Sequence, residues 1–252
     1  MKLNLPFTRQ SRRGAILLLS LVFAFSDGAA AADAPAAARR PADTMAERVL
    51  ACVACHGEQG RATTDGYYPR IAGKPAGYLF NQLVNFREGR RQNATMSYLV
   101  ANLPDSYLQE IADYFAAQYP PYAAPQPPVA GAAVLERGRV LATAGDASKG
   151  LPACAACHGS ALTGTAPAVP GLIGLPRDYL NAQFGAWSNR VRRAAAPDCM
   201  AQITSRLSAA DLGAVTAYLA AQAVPPHAAP VIAVTGGPKV PLDCGSMSRG
   251  AP

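Results

Sequence analysis

The chain is 252 residues long and half apolar, with six cysteines and 23 basic against 16 acidic residues, a formal charge of +7. Four of those basic residues and one acid fall within the first 32 positions, which leaves 19 basic and 15 acidic residues, or +4, in the rest. A bias that small excludes a nucleic-acid binder as the working assumption.

At the amino terminus Lys2, Arg9, Arg12 and Arg13 precede the apolar run Gly14 to Phe25 and the small residues Gly28 to Ala32. This is the pattern of an export signal over 1–32, cleaved near Ala32, with a disordered leader over 33–43. The run is too short to cross a bilayer comfortably, so a permanent membrane span is the lesser alternative. No cysteine follows it before Cys52, which argues against a lipoprotein anchor. Export to the periplasm fits a cysteine-bearing chain, because cysteines pair in an oxidising compartment.

Next in order, Asp43 is placed to cap a helix through Met45, Val49 and Leu50 that delivers the motif Cys52-Val53-Ala54-Cys55-His56. On a helical turn the two cysteines stand at i and i+3 and the histidine at i+4, so all three face one way. That geometry suits two thioether bonds to one haem with the imidazole as iron ligand. The same motif returns as Cys154-Ala155-Ala156-Cys157-His158, predicting two covalently attached haem c groups. Zinc is the competing reading, but a structural zinc site needs four Cys or His ligands and each motif supplies three.

Between and after the motifs the two halves keep matching. Gly73, Tyr78, Leu79, Gln82, Leu83 and Phe86 correspond to Gly174, Tyr179, Leu180, Gln183, Phe184 and Trp187 at the same mutual spacing. Leu103, Leu108, Ile111, Tyr114 and Phe115 match Leu207, Leu212, Val215, Tyr218 and Leu219. The chain is therefore a tandem duplication. Leu79, Leu83 and Phe86 make an i, i+4, i+7 stripe that Gly89 stops, and Ser208 with Asp211 reads as a capping-box start for the last helix of the second copy. Loops rich in Pro and Gly, Tyr67 to Gly73 and Ala166 to Gly174, suit the wrapping of a flat cofactor. Pro120, Pro121, Pro125, Pro127 and Pro128 mark a linker. The organisation expected is a first domain over 44–119, a linker over 120–133, a second domain over 134–223 and a carboxy-terminal extension over 224–252.

The sixth iron ligand must also come from the chain. Met96 lies 40 residues after His56 and Met200 lies 42 after His158, each shortly before the final helix of its copy. A lone methionine is more often core filler, but equivalent placement in both copies makes this pair the candidate thioether ligands. Met45 reads as helix core, Met247 as part of a tail without counterpart, and His227 as solvated. Cys199 and Cys244 remain: an even count in an oxidising compartment favours a disulfide, with free thiols or Cys199 as an iron ligand the alternatives. Arg190, Arg192 and Arg193 form a charge run that reads as a solvated face or a docking surface.

The order Cys-x-x-Cys-His-Gly, Pro69 to Gly73, Tyr78-Leu79, Gln82-Leu83, Phe86, Gly89, Arg91 and Met96 resembles the two-haem class I cytochromes c of the cytochrome c4 type. The resemblance covers about residues 44 to 222 and is better in the first copy. It implies an all-α fold of two tandem class I cytochrome c-like domains, each enclosing one covalent haem, with His56/Met96 and His158/Met200 as axial pairs. It also implies electron transfer between protein donors and acceptors, such as a membrane-bound oxidase, a reductase or a periplasmic dehydrogenase. Alternatives are a cytochrome subunit of such a dehydrogenase, or a di-haem enzyme such as a thiosulfate dehydrogenase or peroxidase, which would need an open or unusual axial position.

Overall fold

The structure, a computed structural model, describes residues 42–226, 228–232 and 241–247. The expected export signal, the leader as far as residue 41 and His227 lie outside the described residues.

The first copy is built from α1 (Met45–Arg48), α2 (Leu50–His56), α3 (Ala76–Arg87), α4 (Ala94–Val100) and α5 (Asp105–Ala116). The cap of α1 is Thr44 rather than Asp43, its hydroxyl accepting the Glu47 N–H. Helical geometry begins at Met45, so only residue 44 stands where an N-cap must. Asp43 instead holds Arg48 in an ion pair at 2.7 Å. The expected single helix is also interrupted at Val49, a fully buried residue that ends α1 and opens α2. Along α3 the apolar stripe faces α5: Leu79 packs with Ile111 and Phe115, and Phe86 with Leu108. The helix ends at Arg87, and Gly89 follows with φ 71°, a left-handed turn that glycine adopts without strain.

The second copy has α6 (Ala132–Thr143), α7 (Ala155–His158), α8 (Arg177–Ser188), α9 (Cys199–Arg206) and α10 (Ala209–Ala220). Because α6 begins at Ala132, the last two residues of the stretch read as linker are helical. The rest of that stretch is fastened. Arg70, 4% exposed, donates to the carbonyls of Pro120 and Pro121 and stacks on Tyr122. Gln126 donates its N–H to Ala220 and accepts from Arg177 N–H.

Among the described residues three very short strands supplement the helices: β1 (Gly164–Ala166), β2 (Val169–Pro170) and β3 (Val231–Ile232), in the order β2-β1-β3. β1 is antiparallel to β2 and parallel to β3. Strands of two or three residues are too short to show an alternating pattern, so the sequence reading did not contain them.

Leu141, Leu180, Val215 and Leu219 lie in the core of the second copy. There α6 crosses α10 so closely that a Cβ on Gly138 would lie 2.2 Å from the Ala214 carbonyl oxygen. At the start of α10 the Ser208 hydroxyl accepts the Asp211 N–H and donates to the Asp211 carboxylate. That carboxylate, 6% exposed, also takes Arg137 at 2.8 Å and Lys149. The bond from Arg137, then those from Lys149 and Ser208, outweigh burial and hold its pKa well below the ordinary 3.8. Cys199 and Cys244 are joined, their Cα atoms 5.2 Å apart and 45 residues apart in sequence. A loop of that length is worth about 4 kcal/mol by restriction of the unfolded chain.

Two outcomes are expected in denaturant titrations. Gly138→Ala should cost about 1–3 kcal/mol by forcing α6 and α10 apart. Asp211→Ala should cost about 1–3 kcal/mol, since it strips a buried acceptor from three donors. Because the folded pKa of Asp211 is depressed, its contribution is complete above 3.8 and is lost as the pH falls below that. The wild type should therefore lose stability there more steeply than Asp211→Ala.

Candidate haem sites

Both Cys-x-x-Cys-His motifs lie on a helical turn. Cys52, Cys55 and His56 fall within α2; Cys154 is the helical N-cap of α7, which carries Cys157 and His158. Each histidine is buried, at 8% and 7% exposure. Nδ1 of His56 lies 2.9 Å from the Pro69 carbonyl and Nδ1 of His158 lies 2.7 Å from that of Pro170. A carbonyl can only accept, so Nδ1 carries the proton and Nε2 keeps the lone pair that a metal takes. Burial pushes the pKa of both imidazoles down and of Cys52, Cys154 and Cys157 up, Cys154 to about 11. The imidazoles are thus neutral, as ligation requires. After each motif a glycine turns the chain at positive φ, Gly57 at 75° and Gly159 at 82°.

The methionines are placed differently. Met96, whose N–H is capped by Asn93 at 3.0 Å, packs at the edge of the Val84, Phe86, Val100 and Leu108 cluster. Phe80, Leu83 and Leu103 belong both to that cluster and to the one containing Cys52, so one face of α3 joins the motif side to the methionine side. In the second copy Met200 lines the same cleft as Cys154, Cys157 and His158. Open space in and around the cleft amounts to about 1530 Å³ with adjoining solvent included, and Leu180, Phe184, Ile203 and Val215 are among its apolar walls. Met247, read as a tail residue, lines it too.

The mouth is shared with the first copy through Lys74, Tyr78, Asn81 and Gln82. Here one member of the Arg run departs from the expected solvated or docking face, while Arg190 and Arg193 are exposed. Arg192 is 5% exposed and is neither a solvated face nor free for docking. It donates to Gln183 at 2.6 Å, Gln82 at 3.1 Å and Tyr78 at 3.2 Å, while Arg91 donates to Gln82 at 3.0 Å, Gln183 at 2.9 Å and Tyr179 at 3.4 Å. The backbones meet as well, Gln92 N–H on Val191 and Arg193 N–H on Arg90. Arg91 stacks on Phe86 and Arg192 on Trp187, its counterpart. Corresponding residues thus exchange bonds across an approximate two-fold axis. The signal was present in the sequence: Tyr, Gln and Arg recur at one constant offset of 101 residues, but the first two were read only as marks of the duplication.

Among the described residues no carboxylate lies within 4 Å of Lys74, Arg91 or Arg192. Burial raises the Tyr78 phenol, but Arg192, Arg91 and Lys74 more than reverse this and bring it to about 8. Trp187 Nε1 is buried without a hydrogen-bond partner. A cluster of partly buried cations with an unpartnered indole N–H calls for anionic acceptors, and haem propionates are such groups. Together with two thiols, a neutral imidazole and a thioether in an apolar cleft, the residues fit haem c. Among the described residues no three His, Cys, Asp or Glu side chains gather as an ordinary metal site.

The chain matches no protein-family model. It is 38% identical over 175 residues to the thiosulfate dehydrogenase electron acceptor of Thiomonas intermedia (strain K12), covering 69% of this chain and 80% of that protein. It is 30% identical over 174 residues to cytochrome c4 of Pseudomonas aeruginosa, covering 68% and 84%. Among solved structures, reduced cytochrome c4 from Pseudomonas stutzeri aligns with TM-score 0.61 at 26% identity, over 70% of this chain and 95% of that one. The thiosulfate dehydrogenase TsdBA from Marichromatium purpuratum aligns with TM-score 0.63 at 30% identity, over 71% of this chain but only 40% of that one. With the duplicated motif, the helical fold and the paired sites, these likenesses make the chain a member of the cytochrome c4 family, an electron carrier with two covalent haem c groups.

Proposed function

We propose that Cys52 and Cys55 hold one haem and Cys154 and Cys157 the other, with His56 and Met96 on the first iron and His158 and Met200 on the second. The observation that carries this reading is the repeated device at the histidines: a proline carbonyl turns each imidazole so that Nε2 is left for iron. Residues 44–119 and 134–223 are then the two haem domains, and 120–133 joins them. Haem supplies a one-electron couple, and filled axial positions let it work without opening a coordination site. The chain's part is to bind, to exclude water with its apolar walls, and to offer a cationic seam around Arg91 and Arg192 that would receive haem propionates. Buried positive charge there favours the reduced state of both irons.

The working compartment in this reading is the periplasm, reached through the signal at residues 1–32; among the described residues no helix is long and apolar enough to cross a membrane. Its partners are redox proteins. The relatives named as electron acceptors of thiosulfate dehydrogenase favour a donor of that kind, and a purified thiosulfate dehydrogenase should reduce the oxidised protein in a stopped-flow mixture. No reduction by it, alongside ready reduction by other donors, would remove that partner and keep the carrier role.

Met96→Ala and Met200→Ala should each open one of the two irons, seen as loss of half the low-spin absorption and gain of cyanide binding. A spectrum that does not change would remove the ligand concerned. Arg192→Ala should lower the midpoint potentials in a redox titration, because a buried cation that opposes oxidation is gone.

A further inference from the structure

The two copies support their methionines in unlike ways. Met96 follows the Asn93 cap, and Gln92, just before that cap, donates its N–H to the Val191 carbonyl of the second copy at 2.8 Å. Met200 is the second residue of α9, and the residues just before it are gripped by the carboxy-terminal segment 241–247. Cys244 is bonded to Cys199, the immediate neighbour of Met200. Gly245 donates its N–H to the Pro197 carbonyl at 3.0 Å. The approach is so close that a Cβ on residue 245 would lie 2.1 Å from the Ala196 oxygen, so glycine is required there. The Ser246 carbonyl accepts from Nδ2 of Asn81, a buried residue of α3 in the first copy, at 2.8 Å. Leu242, Cys244, Ser246 and Met247 line the cleft that His158 and Met200 line.

We infer that segment 241–247 is a positioning strap for Met200, which presses the approach to α9 against the second haem cleft and closes that cleft to competing ligands. The inference rests on Met200 being the sixth ligand of the second iron. A thioether is a weak, neutral ligand, and its hold depends on how firmly the chain presents it. A donor clamped in place returns to the metal at a high effective concentration, whereas an external ligand must arrive from solution through the strap. The strap has three independent ties: a covalent bond beside the ligand, a main-chain bond two residues before Cys199, and a side-chain bond from the other copy. Its apolar members also exclude water from the iron, which disfavours the more highly charged oxidised state. The two haems are therefore unequal by construction, the second being the better protected.

The test uses the full oxidised holoprotein and imidazole as the competing ligand, with each haem followed through its own methyl proton NMR signals. In Cys199→Ser/Cys244→Ser and, separately, in Asn81→Leu, imidazole should enter the second haem about 10- to 100-fold faster than in wild type. The midpoint potential of that haem should fall, while the rate and potential of the first haem hold. Asn81→Gln, which keeps the amide donor, should recover part of the effect. The Asn81 variants leave the disulfide intact, and an unchanged first haem separates loss of the strap from general loosening of the fold. Unchanged uptake at the second haem in both strap variants, with Met200→Ala opening that iron as expected, would overturn the strap alone. An unaltered spectrum in Met200→Ala would overturn the ligand assignment and the strap with it.

Discussion

Arg91 and Arg192 are the constraint around which this molecule is arranged. Guanidinium groups withdrawn from water are costly unless polar partners surround them and opposite charge lies near. Here Tyr78, Tyr179, Gln82 and Gln183 provide the hydrogen bonds and no described side chain provides the charge. Anionic cofactor edges answer that need, and each copy alone could offer only half of the cradle. The seam between the copies thus holds the copies together and forms the mouth of a cofactor cleft, and neither role can be altered without the other.

Much of this was legible before the fold was known. Both haem motifs, the helical stripe of Leu79, Leu83 and Phe86, the Ser208–Asp211 capping box and the pairing of Cys199 with Cys244 all depend on residues near in sequence, or on a count of cysteines. Their local chemistry leaves little choice. What escaped depends on distance. Thr44 displaced Asp43 because the helix starts at Met45, and Asp43 pairs with Arg48 instead; Arg192 looked like surface charge because Tyr78 and Gln82 lie in the other copy. Met247 looked like tail because the strap that returns it to the cleft is set by bonds to Pro197 and Asn81, which no periodicity announces. Trp187 was recognised as the counterpart of Phe86, yet its unpaired indole N–H becomes visible only once the ring is buried.

Duplication has given the two sites a common plan and different finishing. The histidine supports are near copies, down to the proline carbonyl and the glycine after the motif. The methionine sides are not: one is a capped helix tied to the second copy by a backbone bond from Gln92 to Val191, the other is enclosed by the disulfide-held segment and by residues borrowed from the first copy. Such divergence lets one scaffold carry two redox centres that need not share a potential.

Arg70 adds a last consequence. By anchoring Pro120 and Pro121 while Gln126 is tied to Ala220 and Arg177, it converts a proline-rich connector into a brace. A carrier on a hinge would vary the gap between its irons and stutter with each swing. With the connector laid down along both halves, the linker itself resists the hinge motion that would change the spacing of the two copies.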